Sequence, residues 1–97
     1  MSAINTLTAL GLVKARLNRL ESDHTLDSYL TARLEAAITA LEDTGITLDG
    51  DSPSDLMLVV DYCVWEYQNR DKPGGMPDWL RLRRRERWVQ EVKNRDT

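Results

Sequence analysis

The sequence predicts an all-α fold: a small four-helix domain with short loops and a central third helix. Apolar residues recur at intervals of three and four along most of the 97 residues, which is the period of an amphipathic helix. No alternation of apolar and polar residues is long enough to predict a strand. A chain of this length forms one domain, 1–97, with a single modest core.

The first two helices are predicted over residues 6–20 and 26–44. The first has an apolar stripe made of Leu7, Leu10, Val13, Leu17 and Leu20. The second has a longer stripe made of Leu26, Leu30, Leu34, Ala37, Ile38 and Leu41. Gly45 follows directly and is suited to end this helix, because glycine adopts the left-handed conformation at little cost.

The third helix is predicted over residues 53–70. Ser52 is suited to the N-cap and Pro53 to the first helical position. Apolar side chains fall around much of the circumference of this helix, which indicates that neighbours contact it on more than one side. This is why the third helix is expected to be central.

The fourth helix is predicted over residues 77–94, after a Pro-Gly-Gly-Met-Pro turn at 73–77 that stops the third helix. Its apolar stripe is thin and consists of Leu82, Val89 and Val92, with Trp79 beside it. A helix with so narrow an apolar face is expected to bury little surface within its own subunit.

Charge is divided unevenly along the chain. Residues 1–78 contain thirteen acidic and six basic residues, a net charge of −7, whereas residues 79–97 contain three acidic and seven basic residues, a net charge of +4. An acidic body with a basic last helix can attract other copies of itself or an acidic partner.

Several functional classes find no support in the sequence. No apolar run approaches the ~20 residues that cross a bilayer, the first residues do not resemble a secretory leader, and the single Cys63 excludes an internal disulfide. We therefore expect a protein made in the cytoplasm, without a membrane partner. No catalytic, phosphate-binding or metal-ligand motif is present, so we expect no enzyme activity, no cofactor and no metal.

The candidate site is the basic segment of the fourth helix, where five arginines occur within residues 81–87. Guanidinium groups are suited to paired hydrogen bonds with carboxylates or phosphates. Three interpretations stay open: a solvated basic face, an assembly surface, or a nucleic-acid contact. The predicted interface comprises Trp79, Arg81, Arg83, Arg84, Arg85, Arg87 and Trp88.

The segment from Asp61 to Leu80 resembles the head–tail connector (adaptor or head-completion) proteins of long-tailed bacteriophages. The resemblance rests on an aromatic helix, a Pro-Gly-Gly-Met-Pro turn and a last helix that begins with a tryptophan. The segment Leu34–Ile46, with its glycine stop, is also similar to that family.

The resemblance implies a structural virion protein that forms a ring, usually of twelve identical subunits, between the capsid portal and the neck or tail. It implies contacts with the portal protein, with other copies and with the next neck or tail component, and DNA passing through the channel as cargo. The last helix, here Trp79–Arg95, would engage the portal. An acidic body lining the channel would let DNA slide without adhering.

The alternative is a small helical DNA-binding regulator that uses the arginine-rich last helix in a groove. The net charge of −3 and the length of the turn at 73–77 disfavour it, because a helix-turn-helix joins its helices through a turn of about three to four residues.

Overall fold

The computed structural model describes residues 4–72 and 74–95, and over these residues it contains four α-helices and no strand. The helices are α1 Thr6–Arg16, α2 Asp27–Asp43, α3 Pro53–Gln68 and α4 Asp78–Arg95. The all-α prediction is confirmed, and three of the four helices lie within two residues of their predicted bounds. Of the predicted turn at 73–77, Pro73 lies outside the described residues.

The prediction for α1 is wrong at its C-terminal end, because the helix stops at Arg16 and not at residue 20. Asn18 adopts a positive φ of 59°, and Arg19 N–H donates to the Lys14 carbonyl at 2.8 Å. These features define a Schellman stop, in which a left-handed residue ends the helix. Leu20 therefore leaves the predicted apolar stripe and is exposed, as is Leu7.

The boundaries around the α2–α3 loop follow the predicted signals. Gly45 comes directly after the last residues of α2 and has a φ of 101°, as expected for a glycine stop. Ser52 caps α3, with its Oγ accepting a hydrogen bond from the Asp55 N–H at 3.2 Å, and Pro53 occupies the first turn. Both predictions are confirmed.

Helices α1, α2 and α3 pack against one another and form what we call the three-helix core. Val13 of α1, Leu34 and Leu41 of α2, and Val59 and Val60 of α3 are completely buried there. Helix α3 also contacts α4, which confirms its predicted central position. Most of the buried side chains of the core are apolar, so the hydrophobic effect is its main stabilising force, and the buried Lys14 of α1 is paired with Asp27 of α2 at 3.0 Å.

Helix α4 packs mainly on α3. Within its eighteen residues, Leu80 is the only buried one. Leu82, at 55% exposure, and Val89 of the predicted stripe lie on the exposed side of the helix, so α4 buries little apolar surface, as its thin stripe predicts. The side of α3 that receives α4 carries carboxylates, so Arg83 and Arg87 of α4 turn inward, while Trp79, Leu82 and Val89 are exposed.

None of the helices in the described part of the chain combines the length and the apolar character needed to cross a bilayer.

Candidate functional site

Two buried carboxylates on α3, Asp55 and Asp61, receive the basic side of α4. Asp55 is 3% exposed and Asp61 is 8% exposed. An unpaired carboxylate is costly to bury, because charge is poorly solvated away from water. Arginine side chains of α4 and α1 pair with the two carboxylates and offset the cost of burying them. We call Asp55 and Asp61 the carboxylate pair.

Asp55 is held by Arg87 in a two-point ion pair. Arg87 Nε lies 2.8 Å from Asp55 Oδ1, and its Nη2 lies 3.3 Å from Oδ2. The same Nη2 donates to the Thr47 carbonyl at 2.7 Å. The hydrogen bond to Asp55 raises the pKa of Arg87, so the guanidinium stays charged, and the two parallel bonds fix its orientation.

Asp61 connects three helices. It accepts one hydrogen bond from Arg16 of α1 and another from Arg83 of α4. The carboxylate thus lies between two cations that come from opposite ends of the sequence. This arrangement ties α4 to the three-helix core at a second point.

The far end of α4 is fastened to the loop between α2 and α3. The Thr47 N–H donates to Glu91 Oε1 at 2.6 Å, and Arg95 donates to the Gly45 carbonyl. Trp88 lies beside Gly45, where a Cβ atom on that glycine would meet the indole Nε1 at 3.5 Å. Hydrogen bonds thus form most of the contact between this end of α4 and the loop.

The opposite side of α4, which we call its outer face, is apolar and basic at once. It consists of Trp79, Leu82, Arg85, Val89 and Lys93, all of them exposed. Trp79 is 49% exposed and Leu82 is 55% exposed. Large apolar side chains that the described part of the chain leaves half exposed are typical of a surface that meets another macromolecule.

A groove runs beside the outer face and is lined by Thr44, Arg81, Arg84, Arg85, Trp88 and Val89. Trp88 is 42% exposed, and Arg81 is paired with Asp78 one turn earlier on the same helix. We call this feature the arginine–tryptophan groove. Its guanidinium groups beside an indole suit an acidic group carried by an apolar segment.

The structure therefore divides the predicted site residues into two sets. Arg83 and Arg87 face α3 and hold α4 in place. Trp79 and Arg85 lie on the outer face, while Arg81, Arg84 and Trp88 line the groove with Arg85. Two of the seven residues predicted as one interface, Arg83 and Arg87, thus have ion-pair partners within the same chain.

Sequence reasoning did not identify the carboxylate pair or its contact with Arg16. A signal was available at Asp61, which interrupts the apolar run Leu-Val-Val-Asp-Tyr-Cys-Val-Trp. A carboxylate inside a buried helix requires a cation. The arginines of the last helix were the most numerous candidates for that role.

The remaining chemistry is that of a packed domain. Burial raises the pKa of the Cys63 thiol to about 11, so this side chain is protonated near neutral pH and behaves as a small apolar residue. Within residues 4–72 and 74–95, no three histidine, cysteine or acidic side chains are grouped as metal ligands would be.

No protein-family model, no curated protein and no solved structure matches this chain.

Proposed function

We propose that this chain is a non-enzymatic structural subunit that forms a ring between the capsid portal and the tail or neck of a long-tailed bacteriophage. It would act in head completion, as part of the virion, after synthesis in the host cytoplasm. The observation that carries the proposal is the outer face of α4, where exposed apolar side chains lie beside Arg85 and Lys93. The resemblance of the segment from Asp61 to Leu80 to head–tail connectors supports it.

The composition of the outer face favours a protein partner. Protein–protein interfaces are enriched in aromatic residues and arginine, and depleted in lysine and acidic residues at their centres. Trp79, Leu82 and Arg85 fit this composition, and tryptophan and arginine contribute most often to binding energy. We expect the portal to present an apolar and acidic surface to α4.

The other expected partners follow from a ring architecture. Neighbouring copies would close a ring, usually of twelve, and the next neck or tail component would bind its far side. DNA would pass through the channel as cargo. The excess of acidic residues outside α4 supports weak adhesion between this body and DNA, since like charges repel.

The alternative function, a small DNA-binding regulator, is favoured by the arginine–tryptophan groove, because such side chains contact phosphates and stack on bases. Two findings count against it. Arg83 and Arg87 pair with the carboxylate pair, and Arg81 pairs with Asp78. Fewer positive charges are then left for a phosphate backbone than the sequence suggested.

The proposal is tested by mixing the protein with the portal protein of the same virus and measuring complex formation by light scattering and electron microscopy. The variant R81E/R85E changes the exposed side of α4 without touching the carboxylate pair. We expect it to bind the portal at least tenfold more weakly. Changing Arg83 or Arg87 would be uninformative, because α4 itself would be released.

The matched control is R70E/K72E, which introduces the same charge change at two exposed positions after α3. We expect its affinity for the portal to stay within twofold of the wild type. Equal losses in the two variants would show a general charge effect and overturn the assignment to α4. Steeply salt-dependent binding to duplex DNA by single copies, with no portal complex, would favour the regulator.

A further inference from the structure

The contact between α4 and the three-helix core is made mostly of polar bonds. Leu80 is the only buried residue of α4, and the other anchors include Arg83 on Asp61, Arg87 on Asp55 and Glu91 on the Thr47 N–H. Their acceptors and donors belong to α3 and to the loop before it. An identical copy of the chain offers the same groups in the same arrangement.

The chain between α3 and α4 is long enough to deliver α4 to another copy. It comprises the nine residues 69–77, which can span about 30 Å when extended. The molecule measures only 18 Å along its shortest axis. The docking sites of two copies stacked along that axis would therefore lie within reach of each other's α4.

The glycines of this connection allow such a change of direction. Gly74 has a φ of 130°, a region that other residues rarely adopt, and no atom lies within 4 Å of a Cβ placed on Gly74 or Gly75. No described residue beyond their chain neighbours therefore crowds these two positions, and glycine has access to a wide range of backbone conformations. Changes of this kind at a few loop residues are sufficient for hinge motions.

We propose that α4 is an exchangeable arm, and that in the assembled protein α4 of one copy docks on Asp55 and Asp61 of a neighbouring copy. This inference rests on the self-association included in the proposed function and adds how the copies are joined. Each exchanged arm forms with the neighbour the same bonds that it forms with α3 of its own subunit, so exchange costs little free energy. The 69–77 connection then joins one core to the next.

High local concentration would drive the exchange. In an isolated subunit, the short connection keeps α4 near its own α3 and favours the closed form. When copies are gathered at one site, the carboxylate pair of a neighbouring copy competes with that of the same subunit for α4, because both pairs offer identical contacts. The outer face of α4 is then carried on to the surface of the neighbour, where it remains available to a further partner.

The experiment uses two complementary charge reversals, Asp55→Arg and Arg87→Asp. Each variant places like charges at its own junction, so alone it should be monomeric with α4 undocked. In an equimolar mixture, Arg87 of the first variant meets Asp55 of the second. In the reverse direction, the aspartate introduced at position 87 meets the arginine introduced at position 55. We expect native mass spectrometry to show a 1:1 heterodimer, with α4 amides again protected from hydrogen exchange.

The matched control is the double variant D55R/R87D, which restores opposite charges within one chain. We expect it to protect α4 without a partner, which shows that the reversed ion pair forms and that the fold tolerates it. A mixture of the single variants that stays monomeric would overturn the proposal. That outcome would leave the proposed function standing if the wild type still bound the portal.

A second pair of variants keeps the test decisive where the charge reversals prevent folding. In an equimolar mixture of the neutral variants Asp55→Ala and Arg87→Ala, exchange brings Arg87 of the first to Asp55 of the second and restores one ion pair. We expect this mixture to form heterodimers with docked α4. A monomer whose α4 exchanges its amide protons rapidly would show that α4 does not dock on another copy.

Discussion

The three-helix core and α4 are stabilised by different interactions, although both are helical. In the core, most of the buried side chains of α1, α2 and α3 are apolar, with Leu34 and Val60 completely buried. In α4, a single leucine is buried and two arginines meet buried carboxylates. Apolar burial favours folding wherever water is excluded, whereas ion pairs require matched groups at defined positions.

This difference indicates which part of the molecule can move. Apolar packing distributes its stabilisation over many contacts, so the three-helix core is expected to unfold as a unit. A helix held by a few polar anchors can open locally at a lower free energy. The part of the chain that exposes the candidate interface is therefore also the part least firmly attached.

The largest expected effect is in the core. Changing Leu34 to alanine should lower the free energy of unfolding by about 2–5 kcal/mol, because it removes a completely buried side chain and leaves a cavity. Urea denaturation followed by circular dichroism measures this. The control Leu82→Ala, on the outer face of α4, should change stability by less than ~0.5 kcal/mol. Similar losses in both variants would contradict the contrast between the two regions.

The next effect is at the junction. Changing Arg87 to alanine leaves Asp55 buried without its cation and should weaken the docking of α4 by about 3 kcal/mol. Hydrogen exchange should then be faster in α4 while α2 amides keep their protection. Arg85→Ala, two positions earlier and exposed, is the control and should leave the hydrogen-exchange rates of both α2 and α4 unchanged. Equal acceleration in α2 and α4 would show that the junction and the core unfold together.

A smaller effect separates two glycines. Gly45 has a φ of 101° and lies against Trp88, so Gly45→Ala should cost about 1–2 kcal/mol through backbone strain. Gly11 lies within α1 with open space around it, so Gly11→Ala should raise stability by about 0.5–1 kcal/mol. Thermal unfolding midpoints measure both. Stability changes of the same sign in the two variants would contradict the difference in backbone conformation between Gly45 and Gly11.

The smallest effect concerns pH. Hydrogen bonds from His24 and Lys14 lower the pKa of Asp27 below its usual value of 3.8. The folded state therefore gains stability from this carboxylate above pH ~4 and loses it as the pH falls through the lowered pKa. Asp27→Asn should be less stable than the wild type at pH 6 but should lose less on acidification. A parallel loss in both proteins would assign the acid sensitivity to other groups.

The sequence predicted α2 and α3 well because their signals are local. Pro53 and Gly45 act through the conformation of a single residue, and the stripe of α2 repeats without interruption. Prediction failed where the outcome depended on a distant partner. The side of α4 that meets the core was not predicted, because Asp55 and Asp61, which draw Arg87 and Arg83 to that side, lie on a different helix.

The sequence by itself determined four helices, most of their bounds and the segregation of positive charge on the last one, because helical period and capping are properties of neighbouring residues. Only the tertiary structure decided which arginines hold α4 and which remain exposed. Pairing between Asp61 and Arg83, 22 positions apart, depends on how two helices cross, and that geometry is set by the packing of the whole domain.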